Sequence, residues 1–408
     1  MPTVLQVNVC ANYRSTGRIA EDIGQLVLAR GWRSIIAYGD SVRASRSELI
    51  RIGSRLDLLE HGFETRLFDN HGLASRRATK DFLKRVDVIR PDIIHLHNIH
   101  GYYLNYPELF EFLSNINVPV VWTLHDCWPF TGHCAYFDFT GCTKWITECK
   151  APCPGRKQYP ASFWLDLSNR NYRLKKACFQ KVKNLTLVPV SNWLGELLGK
   201  SFLSKYPIEV IHNGICIDSF SPVDGSQIRT KYGIGDSSYI IGVASVWDYR
   251  KGFEAFIKLK KQMSDDVKIV LIGLNEKQLH QTAALGIIGI PHTESTNELA
   301  ALYSEAMLFC NLTYEDNYPT TNLEAMACGT PVLTFDSGGS VEAVTKDTGW
   351  VVEKGDLGRV ISIIGSMKKK DQREIEIQRK ACHSRALVEF DKRKAFDHYL
   401  KLYEQLIH

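Results

Sequence analysis

Two carboxylates, Asp316 and Glu324, stand eight positions apart in the stretch DNYPTTNLEAMACGTP at residues 316–331. Acids at that spacing need a loop and a helix to bring them to one place, and the flanking sequence supplies both. Residues 306–310, AMLFC, read as a buried strand, and residues 316–319 read as a loop. Residues 321–328 then read as a helix, stopped by Gly329 at the position after its last turn and by Pro331 two residues on. Residues 332–335, VLTF, read as the next strand. In a parallel sheet such a loop lies at the carboxyl ends of the strands, where ligands bind. The helix start adds free N–H groups and a positive dipole end, which suit a phosphate. Taken alone, the two acids are equally at home as ordinary cap and first-turn residues.

Other residues of chemical interest fall at the same kind of place. Arg250, Lys251 and Gly252 lie in a loop between a strand at 239–245 and a helix from Phe253. His125 and Asp126 follow a strand at 118–124, and His97 and His100 follow one at 91–97. Thr16 and Gly17 lie in a small-residue loop, at 14–18, after the opening strand. That loop lacks the GxGxxG spacing of a dinucleotide site. Cys134, Cys142, Cys149 and Cys153 are spaced C-x7-C-x6-C-x3-C in a region rich in Gly, Pro and aromatics. Four thiolates in one loop could close a tetrahedral zinc site and staple an insertion with little core of its own. Small buried thiols are the other reading of the same residues.

The chain's 408 residues exceed what one core usually supports, so two domains are expected. Strands and helices alternate through residues 1–205, pass a turn-rich linker at 206–222, and alternate again through 223–387. A helical tail at 388–408 is expected to pack back on the first half. The fold class is therefore α/β, with two doubly wound, Rossmann-like domains facing a cleft. Residues 1–200 hold 26 Lys and Arg against 18 Asp and Glu, and the remainder holds 24 against 27. A basic first half points to an anionic partner such as a membrane surface. A nucleic-acid partner is not expected, since no basic, aromatic-rich binding motif appears. Residues 43–80 are basic and poorly periodic, and read as a solvated helix pair or a face toward anionic lipid. The opening segment reads as a strand and not a signal peptide, and no apolar run reaches the roughly 18 residues of a spanning helix, so a cytoplasmic protein is expected.

The set formed by VIHNGI at 210–215, Arg250-Lys251-Gly252, the Asp316/Glu324 pair and EAMACGTPV at 324–332 resembles family 4 of the GT-B glycosyltransferases. The first half, with TLHDCW at 123–128 and the cysteine loop, is similar to bacterial enzymes that build colanic acid, O-antigen and capsule repeats. The resemblance implies retaining transfer of a sugar from a nucleotide-sugar donor to a saccharide acceptor carried on a polyprenyl diphosphate at the inner membrane face, without a catalytic metal.

Carried over residue by residue, the resemblance gives Lys251 the donor diphosphate, with Arg250 as the nearby cation. The family has an Arg several residues earlier, where this chain has Ser245. Glu324 would bind the ribose hydroxyls, and Asp316, in place of the family's usual Glu, would contact the donor sugar. Backbone amides of Tyr318, Pro319's successor Thr320, Thr321 and the helix start at Asn322 would face the diphosphate or sugar. Thr16 and Gly17 would approach the phosphate, Ile288 and Gly289 would read the base, and His125 would lie near the sugar's C6 hydroxyl. A nucleotide-sugar epimerase and a non-catalytic sugar-nucleotide-binding partner share this architecture. Product analysis with donor alone separates the first from a transferase, and an activity assay separates the second.

Overall fold

The computed structural model describes residues 1–407 and divides into two compact units, Met1–His212 with Phe396–His408, and Asn213–Ala395. The first unit runs β1 (Thr3–Asn8), α1 (Arg14–Ala29), β2 (Arg33–Tyr38), β3 (Glu48–Arg51), α2 (Arg55–Phe68), α3 (Arg76–Ile89), β4 (Ile93–Leu96), α4 (Tyr106–Asn115), β5 (Val120–Leu124), α5 (Ser168–Phe179), β6 (Leu185–Pro189) and α6 (Asn192–Lys200). The second runs α7 (Ser226–Lys231), β7 (Ser238–Val243), α8 (Phe253–Gln262), β8 (Val267–Ile272), α9 (Glu276–Ala283), β9 (Ile288–Ile290), α10 (Thr296–Glu305), β10 (Leu308–Asn311), α11 (Thr320–Ala327), β11 (Val332–Phe335), β12 (Gly349–Val352), α12 (Leu357–Lys368) and α13 (Gln372–Glu389). The last helix, α14 (Lys392–Ile407), begins in the second unit and ends in the first.

Each unit holds one six-stranded sheet, ordered β3-β2-β1-β4-β5-β6 and β12-β11-β10-β7-β8-β9. Every strand pair is parallel. Both are the 3-2-1-4-5-6 order of a doubly wound sheet, whose direction of winding reverses between the first and fourth strands. Helices cover both faces, so the central strands read as near-continuous apolar runs; all six residues of β1 are buried. In the first unit the core is ring-rich: Phe110 and Phe179 centroids lie 4.3 Å apart, and Trp122 meets Phe179 at 5.1 Å. Such pairs add about 0.5–1.5 kcal/mol beyond their buried area.

Four details depart from the sequence reading. Residues 14–18 form the first turn of α1, not a loop. A Cβ on Gly17 would lie 2.9 Å from Cys10 Sγ and 3.1 Å from Cys10 O, so glycine is there for packing and not for a turn. The basic stretch at 43–80 contains β3 beside its two helices, an edge strand with no fully buried residue. Residues 338–344, whose sequence reads as a glycine-led helix start, form only the short 3₁₀ turn Gly338–Val341. The helical reading that runs from Ile375 onward divides into two helices, α13 and α14. Ile215 and Asp391 pair at the break, where Ile215 N–H donates to Phe390 O at 2.8 Å and Lys392 N–H to Ile215 O at 2.9 Å.

Candidate active site

The second unit assembles its chemistry at the reversal between β7 and β10. The loop after β7 ends in Gly252, at φ 80°, and a Cβ there would lie 2.0 Å from Leu312 O. Only glycine lets this loop close on the end of β10. Arg250 O accepts Tyr314 N–H at 2.7 Å and Thr313 Oγ1 at 3.0 Å, while Arg250 Nη1 donates to Glu315 O at 2.9 Å. The two loops are thereby sewn together, and Lys251 Nζ forms an ion pair with Asp316 Oδ2. The side chains of Lys251 and Asp316 are 23% and 13% exposed, so the pair is screened less than a surface pair but remains open to solvent. Burial pushes the Asp316 carboxyl up, but the charges of Lys251 and Arg250 and its hydrogen bonds outweigh this and hold it below the ordinary range. It is therefore an anion at neutral pH.

Three residues on, α11 starts after Pro319 with no side-chain cap and no acid in its first turn. Seven other helices, among them α2, α4 and α9, are capped by a side chain. Thr320 and Thr321 are half-buried at this start, whereas Tyr318 is buried. Asn322 is fully engaged: its N–H donates to Pro319 O at 3.2 Å, Nδ2 to Ser340 O at 3.0 Å, and Oδ1 accepts Asn311 Nδ2 at 2.8 Å. It pins α11 to β10 and to the 338–341 turn, and so sets where the amides of the first turn lie. Glu324 Oε2 accepts the hydroxyl of buried Tyr303 at 3.3 Å. The far end of α11 closes with Gly329 at φ 77°, Gly329 N–H to Met326 O at 2.9 Å and Thr330 N–H to Ala325 O at 2.9 Å. That is the double bond pattern of a glycine-terminated helix. On the neighbouring side of the sheet, Ile288 and Gly289 lie in β9, and a Cβ on Gly289 would lie 2.8 Å from Thr282 Oγ1. This glycine lets α9 pack close against the strand.

The first unit has a different set at its own reversal, between β1 and β4. Asn8, at the end of β1, accepts Asn98 N–H at 3.2 Å through Oδ1 and reaches Thr16 Oγ1 at 3.4 Å through Nδ2. Thr16 and Gly17 thus stand on the first turn of α1, beside the end of β1. Behind them runs a row of imidazoles. His97 and His125 stack at 5.7 Å with Nδ1 and Nε2 3.4 Å apart, and His97 Nε2 meets Gln6 Oε1 at 3.0 Å. His95 bonds Tyr403 OH at 2.5 Å and Thr123 Oγ1 at 2.7 Å. Burial pushes His125 down to about 4, partly opposed by the Asp126 charge, and pushes His95 down to about 3. These rings are neutral at pH 7. His100 bridges Tyr159 OH at 2.9 Å and Asp126 Oδ2 at 2.9 Å.

The structure therefore brings Lys251, Arg250, Asp316 and the start of α11 together in the second unit, and Thr16, Gly17 and the His97–His125 pair in the first. Sequence reasoning missed Tyr303, Asn311 and Ser340, which hold Glu324 and Asn322 in place. Their polar side chains stand beside apolar strand and helix residues, which is a weak signal without the partner in view.

Two family profiles match consecutive parts of the chain: Glycosyltransferase Family 4 over residues 17–219 and Glycosyl transferases group 1 over residues 224–381. A relative in Escherichia coli (strain K12), provisionally named as the colanic acid biosynthesis glycosyl transferase WcaC, is 24% identical, with 88% of this chain and 89% of that protein covered. The Campylobacter jejuni N,N'-diacetylbacillosaminyl-diphospho-undecaprenol alpha-1,3-N-acetylgalactosaminyltransferase is 24% identical over 39% of this chain and 43% of its own length. Among solved structures, Anabaena Alr3699/HepE in complex with UDP-glucose superposes with a TM-score of 0.68 at 15% identity, covering 99% of both chains. The chain is a glycosyltransferase of family 4 with the GT-B fold.

Proposed function

We propose that the chain moves a sugar, with retention, from a nucleotide-sugar donor held by the second unit to a lipid-linked saccharide acceptor taken up by the first, in the assembly of a bacterial surface polysaccharide. The observation that carries the donor assignment is the Lys251–Asp316 pair at the β7/β10 reversal, ahead of the uncapped start of α11. Breaking the anomeric C–O bond leaves negative charge on the departing diphosphate. Lys251, the Arg250 charge and the first amides of α11 are fixed donors for that charge. Glu324, held by Tyr303, is a carboxylate suited to a pair of ribose hydroxyls, and Asp316 to a hydroxyl of the sugar. Ile288 and Gly289 would read the base. Thr16 and Gly17 would approach the phosphate, and neutral His125 would offer a hydrogen bond near the sugar's C6 hydroxyl. Same-face attack, with a diphosphate oxygen taking the acceptor's proton, fits a site whose acids are engaged in binding.

The UDP-glucose complex of HepE supports a nucleotide-sugar donor, and the undecaprenol-linked substrate of the Campylobacter relative supports a lipid-linked acceptor. A surface of the first unit supports membrane contact. Leu56, Leu59 and Phe63 recur at helical spacing on the solvent face of α2, at 76%, 70% and 62% exposure, and Trp164 is 73% exposed. Phe163 N–H donates to Arg66 O at 2.8 Å, which sets the 163–165 segment against the end of α2. Exposed Arg55 and Arg66 lie near the two ends of the same helix. Exposed apolar groups rimmed by cations suit an anionic lipid surface. No helix among the described residues is long and apolar enough to cross a membrane.

The test is transfer from a panel of nucleotide-sugars. Lys251→Ala and Glu324→Ala should each abolish transfer while circular dichroism and melting remain near wild type. Near wild-type turnover in both variants would refute the site.

A further inference from the structure

Residues 125–167, between β5 and α5, hold no regular structure beyond two 3₁₀ turns, Trp128–Phe130 and Lys144–Ile146. Connections in α/β folds usually run about 2–6 residues, so a segment of this length needs something to fix it. One side is fixed by protein alone. Phe130, Phe137 and Trp145 cluster, with the Phe137 and Trp145 rings 5.1 Å apart. Buried Lys175 donates to Trp128 O at 2.7 Å and Thr131 O at 3.1 Å, and His133 pairs with Asp69 at 2.6 Å.

The other side is built around sulfur. Cys134, Cys142, Cys149 and Cys153 all line one small cavity, together with Phe137 and Trp145. Cys134 is buried and the other three are half-buried. The Cys134 and Cys153 side chains hydrogen-bond to each other. Gly132 N–H donates to Cys149 Sγ at 3.2 Å, and Gly155 N–H to Cys153. Both glycines are needed for this approach: a Cβ on Gly132 would lie 2.8 Å from Cys149 Cβ, and one on Gly155 2.9 Å from Cys134 Cβ. Lys144 Nζ donates to Lys150 O at 3.1 Å and Pro152 O at 2.8 Å, closing the loop over the cavity. Among the described residues no three His, Cys, Asp or Glu stand placed to hold a metal ion, so binding one here requires the cysteine side chains to move.

We propose that Cys134, Cys142, Cys149 and Cys153 bind one zinc ion that clamps this segment. Four thiols give up four protons and form four Zn–S bonds of about 2.3 Å, leaving a site of charge −2. Lys144 and Lys150, which line the cavity, lower the cost of that charge. The side-chain rotations of half-buried Cys142, Cys149 and Cys153 bring the sulfurs together. The backbone N–H groups aimed at Cys149 and Cys153 would remain as donors to the bound sulfurs and orient them. The role is structural, since a closed four-sulfur site leaves no position open for a substrate. This proposal does not rest on the donor site.

The test uses the full chain produced with zinc supplied. After gel filtration, elemental analysis should give about one zinc per chain, and a thiol-specific mercurial should release it. A zinc chelator should lower the melting temperature by several degrees and expose additional thiols to a disulfide reagent. Cys142→Ser and Cys149→Ser should each lose most of the zinc, while Cys178→Ser, a buried thiol outside the cavity, should keep it. The wild-type thiol count with and without chelator reads the site even where a variant fails to fold. Wild-type protein with only traces of zinc, zinc retained after both cavity cysteines are replaced, or iron and sulfide in its place would each overturn the proposal.

Discussion

The Lys251–Asp316 pair sets up a competition that Asp316→Asn exposes. In the structure the lysine that should meet the donor diphosphate is already neutralised by a carboxylate. At an effective dielectric near 20, contact charges attract by about 4 kcal/mol, and desolvation and side-chain ordering cancel most of it. A net coupling of about 1–2 kcal/mol remains for a pair this open to solvent. A diphosphate approaching Lys251 must overcome that coupling. Asp316→Asn removes it while keeping the size of the side chain and its acceptor for Asn317 N–H, now 2.9 Å away. Nucleoside diphosphate affinity should therefore rise about 5- to 30-fold, and the gain should shrink in high salt. Transfer should fall steeply at the same time, because the sugar loses its carboxylate. Folding should cost little, since Lys251 can hydrate in place. Because the Asp316 carboxyl sits below its ordinary value, the pair is intact above about pH 4 and is lost only as pH falls through the folded value. The affinity difference should accordingly be flat from pH 5 to 9. Calorimetric titration of both proteins with UDP and GDP measures it. Weaker diphosphate binding in Asp316→Asn, comparable to the loss in Lys251→Ala, would refute the competition and make Asp316 part of the phosphate cradle.

The imidazole row makes the first unit acid-sensitive. His95 and His125 stay neutral when folded but protonate below about 6.5 when unfolded, so stability drops as pH falls from about 6.5 toward 4, by up to about 2 kcal/mol per ring at pH 5. Thermal melts from pH 8 to pH 5 check this, and a His95→Gln variant that melts with an unchanged pH slope would contradict it. Gly252→Ala should cost more than about 3 kcal/mol and abolish donor binding, because its Cβ meets Leu312 O at 2.0 Å. Gly329→Ala should cost only about 1 kcal/mol of left-handed strain, since the nearest atom lies 3.5 Å away. Urea unfolding of the two variants separates these values. Phe63→Glu with Trp164→Glu should reduce flotation with anionic vesicles several-fold without lowering transfer to a soluble acceptor analogue; unchanged flotation would remove this face from consideration.

The parts legible in the sequence were those where one short segment carries its own signal. The apolar runs of β1 and β7, the helix stop at Gly329 and the loop before α8 all have local causes. β3 was not legible because Glu48, Leu49 and Arg51 are exposed and the strand pairs only with β2, so no alternation marks it. The start of α1 was not legible because Gly17 answers to Cys10, a contact that no helical period records. The start of α13 carries a local sign, the capping box of Asp371 and Glu374, but nothing local marks where that helix ends before α14. Within the candidate site, Lys251, Asp316 and Glu324 were legible as charged residues in loops and helix starts. The groups that hold them, Tyr303 and the Asn311–Asn322–Ser340 chain, became visible only when sheet order placed them together.

That sheet order also explains why two units of the same topology carry opposite electrostatics. In both, the reversal between first and fourth strands leaves two loops side by side with no helix crossing between them. Whatever those loops carry is forced into contact. In the second unit they carry Lys251 and Asp316, and the result is a charged pair at an open helix start, ready to exchange one anion for another. In the first unit, Asn8, Asn98 and Thr16 meet at the same point, with His97 and His125 stacked behind on β4 and after β5. Burial keeps those rings uncharged, so this half offers hydrogen bonds without a fixed charge. Polyols need directional donors and acceptors, and diphosphates need cations and amides. The topology provides one position twice, and in the proposed function the residues placed there divide the two tasks.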